Sequence, residues 1–212
     1  MLTLYEFFRS TSSFRTRIAL NLKGLEYKHV SVLLRGGEHL TDEYTRMNPQ
    51  QLVPTLVDGE HTLNQSLAII EYLEETHPEP ALLPPDPAGR ARVRAFAQIA
   101  ACEMHPLHNL RVLKYLRTEC GQDDDGIERW THAWIGKGFQ AMEGMLADSR
   151  TGRFCHGDAP GLADLCLVPQ VFSAKRFAFD VTPYARCWEI HQRCMELPAF
   201  ERAKPTNQPD AE

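Results

Sequence analysis

Residues Arg9 to Ser13 read Arg-Ser-Thr-Ser-Ser and run directly into Phe14-Arg15-Thr16-Arg17. A hydroxyl at the start of a helix satisfies an orphan backbone N–H, but four in a row, Ser10 to Ser13, exceed what a cap needs. A hydroxyl that donates a hydrogen bond to a sulfur at the positive end of a helix dipole would lower a thiol's pKa from about 8.5 toward neutrality. Any hydroxyl of the run, Ser10, Thr11, Ser12 or Ser13, could take that role. No cysteine occurs before Cys102, which excludes a disulfide-exchange mechanism at this place. Of the three arginines, Arg9 precedes the helix and stands beside the hydroxyls. Arg15 and Arg17, two apart on a helix, point about 200° away from each other and cannot form one site. They read as surface or structural ion pairs, and Arg9 is the better ligand candidate.

Other residues pair a structural role with a chemical one. Pro54 opens a strand and removes a ladder donor, which suits an edge or a turn. Gln65-Ser66 starts a helix, where Ser66 reads as an N-cap, and a helix N-terminus is also an anion site. Pro106 lies inside a helical pattern, "MHPLHNLRVLKYL", and should kink it. On that helix His105 and Asn109 share a face, and Arg111 lies about 60° from His108. Asp164 belongs to a helix-start capping pattern whose cap position is Gly161, a structural role. Arg176, near the end of that helix, reads as a charge that complements the dipole.

These residues need elements to hold them. "LTLYEF" reads as a strand, "SFRTRIALNLKG" as a helix stopped by Gly24, "EYKHVSVLL" as a strand and "DEYTRM" as a short helix. "LVPTLVDGEHTL" is a hairpin around Asp58-Gly59, and "SLAIIEYLEETHP" an amphipathic helix. The order β-α-β-α-β-β-α thus fills residues 1–80 as an α/β domain. Proline-rich "PEPALLPPDPAG" reads as a linker, residues 88–212 as an all-helical domain without strands, and "KPTNQPDAE" as a flexible tail.

Composition narrows the function. A formal net charge of −5 argues against a nucleic-acid surface. No apolar run approaches the roughly 18 residues of a membrane span, and "MLTLYEFF" lacks export-signal features, so a cytoplasmic protein is expected. The six cysteines show no zinc spacing, which leaves no metal site and implies reduced, mostly buried thiols.

The domain order, with "LVPTL" before the hairpin and "QSLAIIEYL" after it, resembles the cytosolic glutathione transferases, whose N-terminal domain is thioredoxin-like. "RSTSSFRTRIALNLKG", "NPQQLVPTL", "HPLHNLRVLKYL" and "LADLCLVPQVFSAKRF" resemble the zeta class across nearly the whole chain, and within it the maleylacetoacetate and maleylpyruvate isomerases. The resemblance implies a cis Val53-Pro54 bond whose Val53 backbone pairs with glutathione. It also implies a γ-glutamyl end held by Gln65 and Ser66, with His105, His108 and Asn109 facing the same cofactor. Arg9, Arg111 and Arg176 would then bind a maleyl dicarboxylate. The zeta pattern places hydroxyls at Ser10 and Thr11 and a cysteine where this chain has Ser12, which implies these three as the candidate catalytic residues and leaves the chemistry to glutathione's own sulfur. The implied activity is glutathione-dependent cis–trans isomerisation by a homodimer. A generalist transferase acting on haloacids or peroxides would consume glutathione, and an adaptor would not need an intact Ser10, Gln65, Ser66 set.

Overall fold

A computed structural model of the chain describes residues 1–211. The chain forms two compact units, Met1–Leu82 joined by the segment from Glu196 onward, and Leu83–Met195.

The first unit follows the expected order. It comprises β1 (Leu2–Glu6), α1 (Thr11–Leu22), β2 (Tyr27–Ser31), α2 (Asp42–Met47), β3 (Thr55–Asp58), β4 (His61–Asn64) and α3 (Ser66–Thr76). The strands make one mixed sheet in the order β2-β1-β3-β4. β1 runs parallel to β2 and antiparallel to β3, and the β3–β4 hairpin turns at Gly59, whose φ of 57° explains the glycine. Alternation along β1 buries Leu2, Leu4 and Glu6 on one face. α1 is buried almost all round, Arg15 and Arg17 included, although seven of its twelve residues are polar.

Burying Arg17 and Glu6 requires that each find partners. The two form an ion pair through Nη1 and Oε2, both side chains fully buried. Arg17 also donates from Nη2 to the Phe8 carbonyl (2.9 Å) and from Nε to the Ala203 carbonyl (2.9 Å). The other Glu6 oxygen meets His29 Nδ1 at 3.0 Å, and His29 Nε2 lies 3.3 Å from Asp210 Oδ1.

Two expectations need correction here. The helical domain expected to reach residue 212 ends earlier, because the chain from Glu196 packs with the first unit. The segment expected to be a flexible tail, which starts at Lys204, is tied down at Asp210, whose Oδ2 accepts from the Phe8 N–H at 3.3 Å, and the chain just before it is packed as well. α9 (Pro198–Ala203) buries Phe200 and Ala203, and Asn21 Nδ2 donates to the Ala199 carbonyl at 2.9 Å. A short 3₁₀ turn, Pro205–Asn207, carries the chain on to Asp210. Polar composition hid this anchoring, since the bonds use backbone carbonyls and one carboxylate rather than an apolar stripe. The proline-rich segment does contain the boundary, but Leu82 is buried and its N–H donates to the Glu74 carboxylate (2.9 Å).

The second unit is helical, with no named strand among the described residues. Pro87 opens α4 (Pro87–Gln98) behind an Asp86 cap, whose Oδ1 accepts from the Gly89 N–H at 2.7 Å. Then follow α5 (Leu110–Thr118), α6 (Asp124–Met145), α7 (Leu162–Arg176) and α8 (Ala185–Met195). Phe96, Ile135, Phe139, Leu165 and Val171 are core residues. Asp164 caps α7 as expected, accepting from the Gly161 N–H (2.9 Å) and also from Cys155 N–H (3.0 Å). Pro106 does more than kink its helix. Beyond α4 the chain widens into a π turn over Ile99–Met104, tightens to a 3₁₀ turn over His105–His108, and restarts at α5. No helix among the described residues is long and apolar enough to cross a membrane. All six cysteines are free, and Cys155, Cys166, Cys187 and Cys194 are buried.

The His29 contacts set a pH dependence. Its hydrogen bond to Glu6 raises its pKa above the ordinary 6.5 despite partial burial. A raised pKa contributes stability that is fully present below about pH 6.5 and is lost as pH rises through the folded-state value. The stability advantage of the wild type over His29→Gln, measured by urea unfolding, should therefore shrink between about pH 6 and about pH 9. An advantage that stays constant over that range would contradict the ion-pair assignment.

Candidate functional site

In the first unit the site forms where β1 gives way to α1. Ser10 is the N-cap of α1, its Oγ accepting from the Ser13 N–H at 3.2 Å. Capping uses a lone pair, so the Ser10 O–H proton can still be donated elsewhere. Thr11 is the first helical residue and is buried, whereas Ser12 is half-buried. Arg9, just outside the helix, is half-buried with its guanidinium 5.9 Å and 5.8 Å from the Phe7 and Phe8 ring centroids.

Arg15 departs most from expectation. It is 2% exposed rather than on the surface. Helical side chains lean toward the N-terminus, and its Nη2 reaches back to Ser12 Oγ at 3.4 Å while Nη1 donates to Ser66 Oγ at 3.1 Å. One guanidinium thus joins the hydroxyl run to the start of α3. The 200° argument holds, since Arg17 goes elsewhere, but assigning Arg15 away from the site does not.

The start of α3 also differs in detail from the sequence reading. Gln65 occupies the cap position, and Ser66 is the first helical residue, its hydroxyl turned to Arg15 rather than to a helix N–H. Gln65 has φ 70°, a left-handed conformation that costs energy in a residue other than glycine and clusters at functional sites. Its Nε2 donates to Gln50 Oε1 at 2.6 Å. α3 has no side-chain cap, and neither α1 nor α3 carries an acid in its first turn. Two helix N-termini and a buried guanidinium therefore combine into an environment that selects anions.

Val53-Pro54 is cis, as the resemblance implied, and leads directly into β3. The preceding loop is pinned at the Leu52 carbonyl, which accepts from Tyr44 Oη (2.7 Å) and Asn48 Nδ2 (2.6 Å). Asn48 Oδ1 in turn accepts from the Gln50 N–H at 3.0 Å. Val53 is thus presented by a loop fixed on its N-terminal side.

In the second unit the proposed ligands divide. His105 and His108 have ring centroids 5.7 Å apart, His108 lies 5.3 Å from Phe177, and the Arg176 guanidinium sits 5.9 Å from that same Phe177 ring. His108 is buried, with Nε2 3.0 Å from Gln170 Nε2. Asn109 is the cap of α5, its Oδ1 accepting from the Val112 N–H at 3.0 Å. The shared helical face expected for His105 and Asn109 does not exist, because the helix is broken between them. Arg111 stands exposed on α5, a helix that buries none of its side chains.

Asn48, Gln50, Gln170 and Arg15 were not singled out as site residues. Arg15 had no usable signal, because seven of the twelve residues of α1 are polar and the helix shows no apolar stripe from which the burial of an arginine would follow. The amides carried no signal either, since a hydrogen bond between distant loops leaves no periodicity.

Comparison with known proteins places this geometry. The family profile of the glutathione S-transferase N-terminal domain matches residues 4–81. A maleylpyruvate isomerase of Ralstonia sp is 53% identical over 209 residues, 98% of this chain and 99% of its own. The holo structure of a maleyl pyruvate isomerase, described as a bacterial zeta-class glutathione S-transferase, is similar with a TM-score of 0.97 and 52% identity, covering 99% of this chain and 100% of that one. A maleylacetoacetate isomerase from Anaeromyxobacter dehalogenans 2CP-1, solved with dicarboxyethyl glutathione and citrate in its active site, has a TM-score of 0.89 and 42% identity over 100% of this chain and 94% of its own.

The different burial of the arginines is directly measurable. Arg15→Met should destabilise the protein by about 2–4 kcal/mol, through two lost charge-assisted bonds and lost packing. Arg176→Met, on the surface, should stay within about 0.5 kcal/mol of the wild type. Equal effects of the two in denaturant unfolding would contradict the placement of Arg15.

Proposed function

The chain belongs to the zeta class of the glutathione S-transferase family, and from that premise we propose that it is a glutathione-dependent cis–trans isomerase. It converts a maleyl dicarboxylate, maleylpyruvate or maleylacetoacetate, to the fumaryl isomer in aromatic-compound degradation. It works in the cytoplasm as a homodimer, the usual state in this family.

The observation that carries this reading is the Arg15 bridge. It ties Ser12 to Ser66 and brings a fixed positive charge to the N-termini of α1 and α3. The donor set suits glutathione, an extended anionic peptide. The Val53 backbone pairs with it as an added strand would. Ser66, Gln65 and the uncapped N–H groups of α3 hold the γ-glutamyl carboxylate. His105, His108 and Asn109 contribute further polar contacts, Asn109 through the amide N–H groups that its capping oxygen leaves available.

When bound, glutathione supplies a thiolate that adds to the cis double bond, leaves a single bond that can rotate, and departs unchanged. The chain's own part is to make the thiolate available at neutral pH and to hold the substrate. Ser10 would donate a hydrogen bond from its hydroxyl to the thiolate at the positive end of α1, keeping its own proton, with Thr11 and Ser12 beside it. Arg9, Arg111 and Arg176 bind the two carboxylates and stabilise the negative charge that develops as the double bond is broken. Rotation is productive only if one end of the substrate stays fixed while the other swings, which requires cationic groups on more than one element.

Two measurements test the reading. Ser66→Ala should weaken binding of reduced glutathione by about 1–3 kcal/mol in calorimetry. Arg111→Met and Arg176→Met should each lower kcat/KM for the maleyl substrate about tenfold or more while leaving glutathione affinity nearly unchanged. Lysine should not rescue either arginine, because it lacks the bidentate fork. Absence of glutathione binding at millimolar concentration, or full activity in both arginine variants, would overturn the assignment.

A further inference from the structure

Phe8 directly precedes Arg9 and Ser10, and both of its peptide groups are held by side chains from other elements. Its carbonyl accepts from Arg17 Nη2 at 2.9 Å, and its N–H donates to Asp210 Oδ2 at 3.3 Å, 202 positions along the chain. Parallel pairing of β1 with β2 ends at the Glu6–Ser31 pair, followed by one bond from the Val32 N–H to the Glu6 carbonyl (2.7 Å). The Phe8 N–H therefore lies past the ladder, in a residue only 7% exposed, and needs an acceptor from elsewhere. Asp210 supplies it.

Asp210 is itself fixed. Its Oδ2 also accepts from Ser31 Oγ at 2.7 Å, and its Oδ1 faces His29 Nε2 at 3.3 Å. His29 and Arg17 both engage Glu6, so the contacts close into a ring around the end of β1. Arg17 Nε anchors the incoming C-terminal segment at the Ala203 carbonyl, 2.9 Å away.

We propose that Asp210 is a positioning residue for the isomerase reaction: by holding the Phe8 N–H it fixes the β1–α1 junction and so the place from which Ser10 and Arg9 act. This rests on the reading that Ser10 serves the glutathione sulfur. Val53, Gln65 and Ser66, which hold the rest of glutathione, lie on other elements. Loosening the junction therefore misplaces the reacting groups without removing the cofactor's main contacts. Small displacements of reacting groups lower turnover steeply.

The test uses the full-length protein with Asp210→Ala, Asp210→Asn and Ser31→Ala. Backbone amide exchange at Phe8 to Ser10, glutathione affinity by calorimetry and steady-state kinetics at saturating glutathione are read together. In Asp210→Ala, exchange at Phe8 should quicken about tenfold or more. kcat should fall about tenfold, with the glutathione dissociation constant changed less than about twofold. Asp210→Asn, which keeps an oxygen to accept from Phe8, should recover most of both. If Asp210→Ala does not fold, Ser31→Ala, which removes the shortest bond to Asp210, should shift the same readouts in the same direction by a smaller factor. Wild-type exchange at Phe8 in Asp210→Ala, or a loss of kcat that merely follows the unfolded fraction, would overturn the proposal. A wild-type chain that binds no glutathione would instead defeat the functional reading, and the exchange data would still judge the clasp.

Discussion

Two guanidinium groups buried on α1 constrain everything around them. A guanidinium keeps its charge, so each one taken out of water must be given hydrogen-bond acceptors, and the positions of those acceptors become fixed. Arg17 takes Glu6, the Phe8 carbonyl and the Ala203 carbonyl, which joins the end of β1 to the C-terminal segment. Arg15 takes Ser12 and Ser66, which joins the hydroxyl run to α3. Because the two side chains leave the helix in different directions, one helix serves two purposes. Arg17 holds the scaffold, and Arg15 draws the candidate glutathione residues together.

The chemistry follows from that arrangement. Anion binding at a helix N-terminus is weak when water screens it, and it strengthens where backbone N–H groups are oriented beside a fixed buried charge. The chain places α1, α3 and Arg15 in that relation and keeps acids out of the first turns of both helices. Serine at position 12 leaves the hydroxyl run without a protein thiol. In the proposed reaction the nucleophilic sulfur is therefore glutathione's, and the proposal leaves the protein to lower its pKa and to hold a dicarboxylate while one bond turns.

Much of this was legible in the sequence because it rests on local rules. Alternation in "LTLYEF", the Gly24 stop and the Asp58-Gly59 turn each act over a few residues, and the first unit's order of elements followed from them. Pro106 announced a break, though not that the chain would pass through π and 3₁₀ turns. Gly138 on α6 comes so close that a Cβ there would collide with the Met104 side chain. Ser66 was recognised at the right helix and given the wrong bond, because an N-cap is a local inference while its guanidinium partner lies 51 positions away. The anchored C-terminal segment was missed for the same reason. Besides the buried Phe200 and Ala203, its hold on the fold runs through carbonyls and Asp210, which leave no mark on the hydrophobic pattern.

The central claim is that glutathione acts as a returning cofactor on a site built around α1. The most direct measurement supplies glutathione at about one tenth of the maleyl substrate concentration and follows the fumaryl product and the free thiol together. The account predicts complete conversion with the thiol titre unchanged. Conversion that stops when the glutathione is exhausted, with thiol lost in step with product, would contradict it.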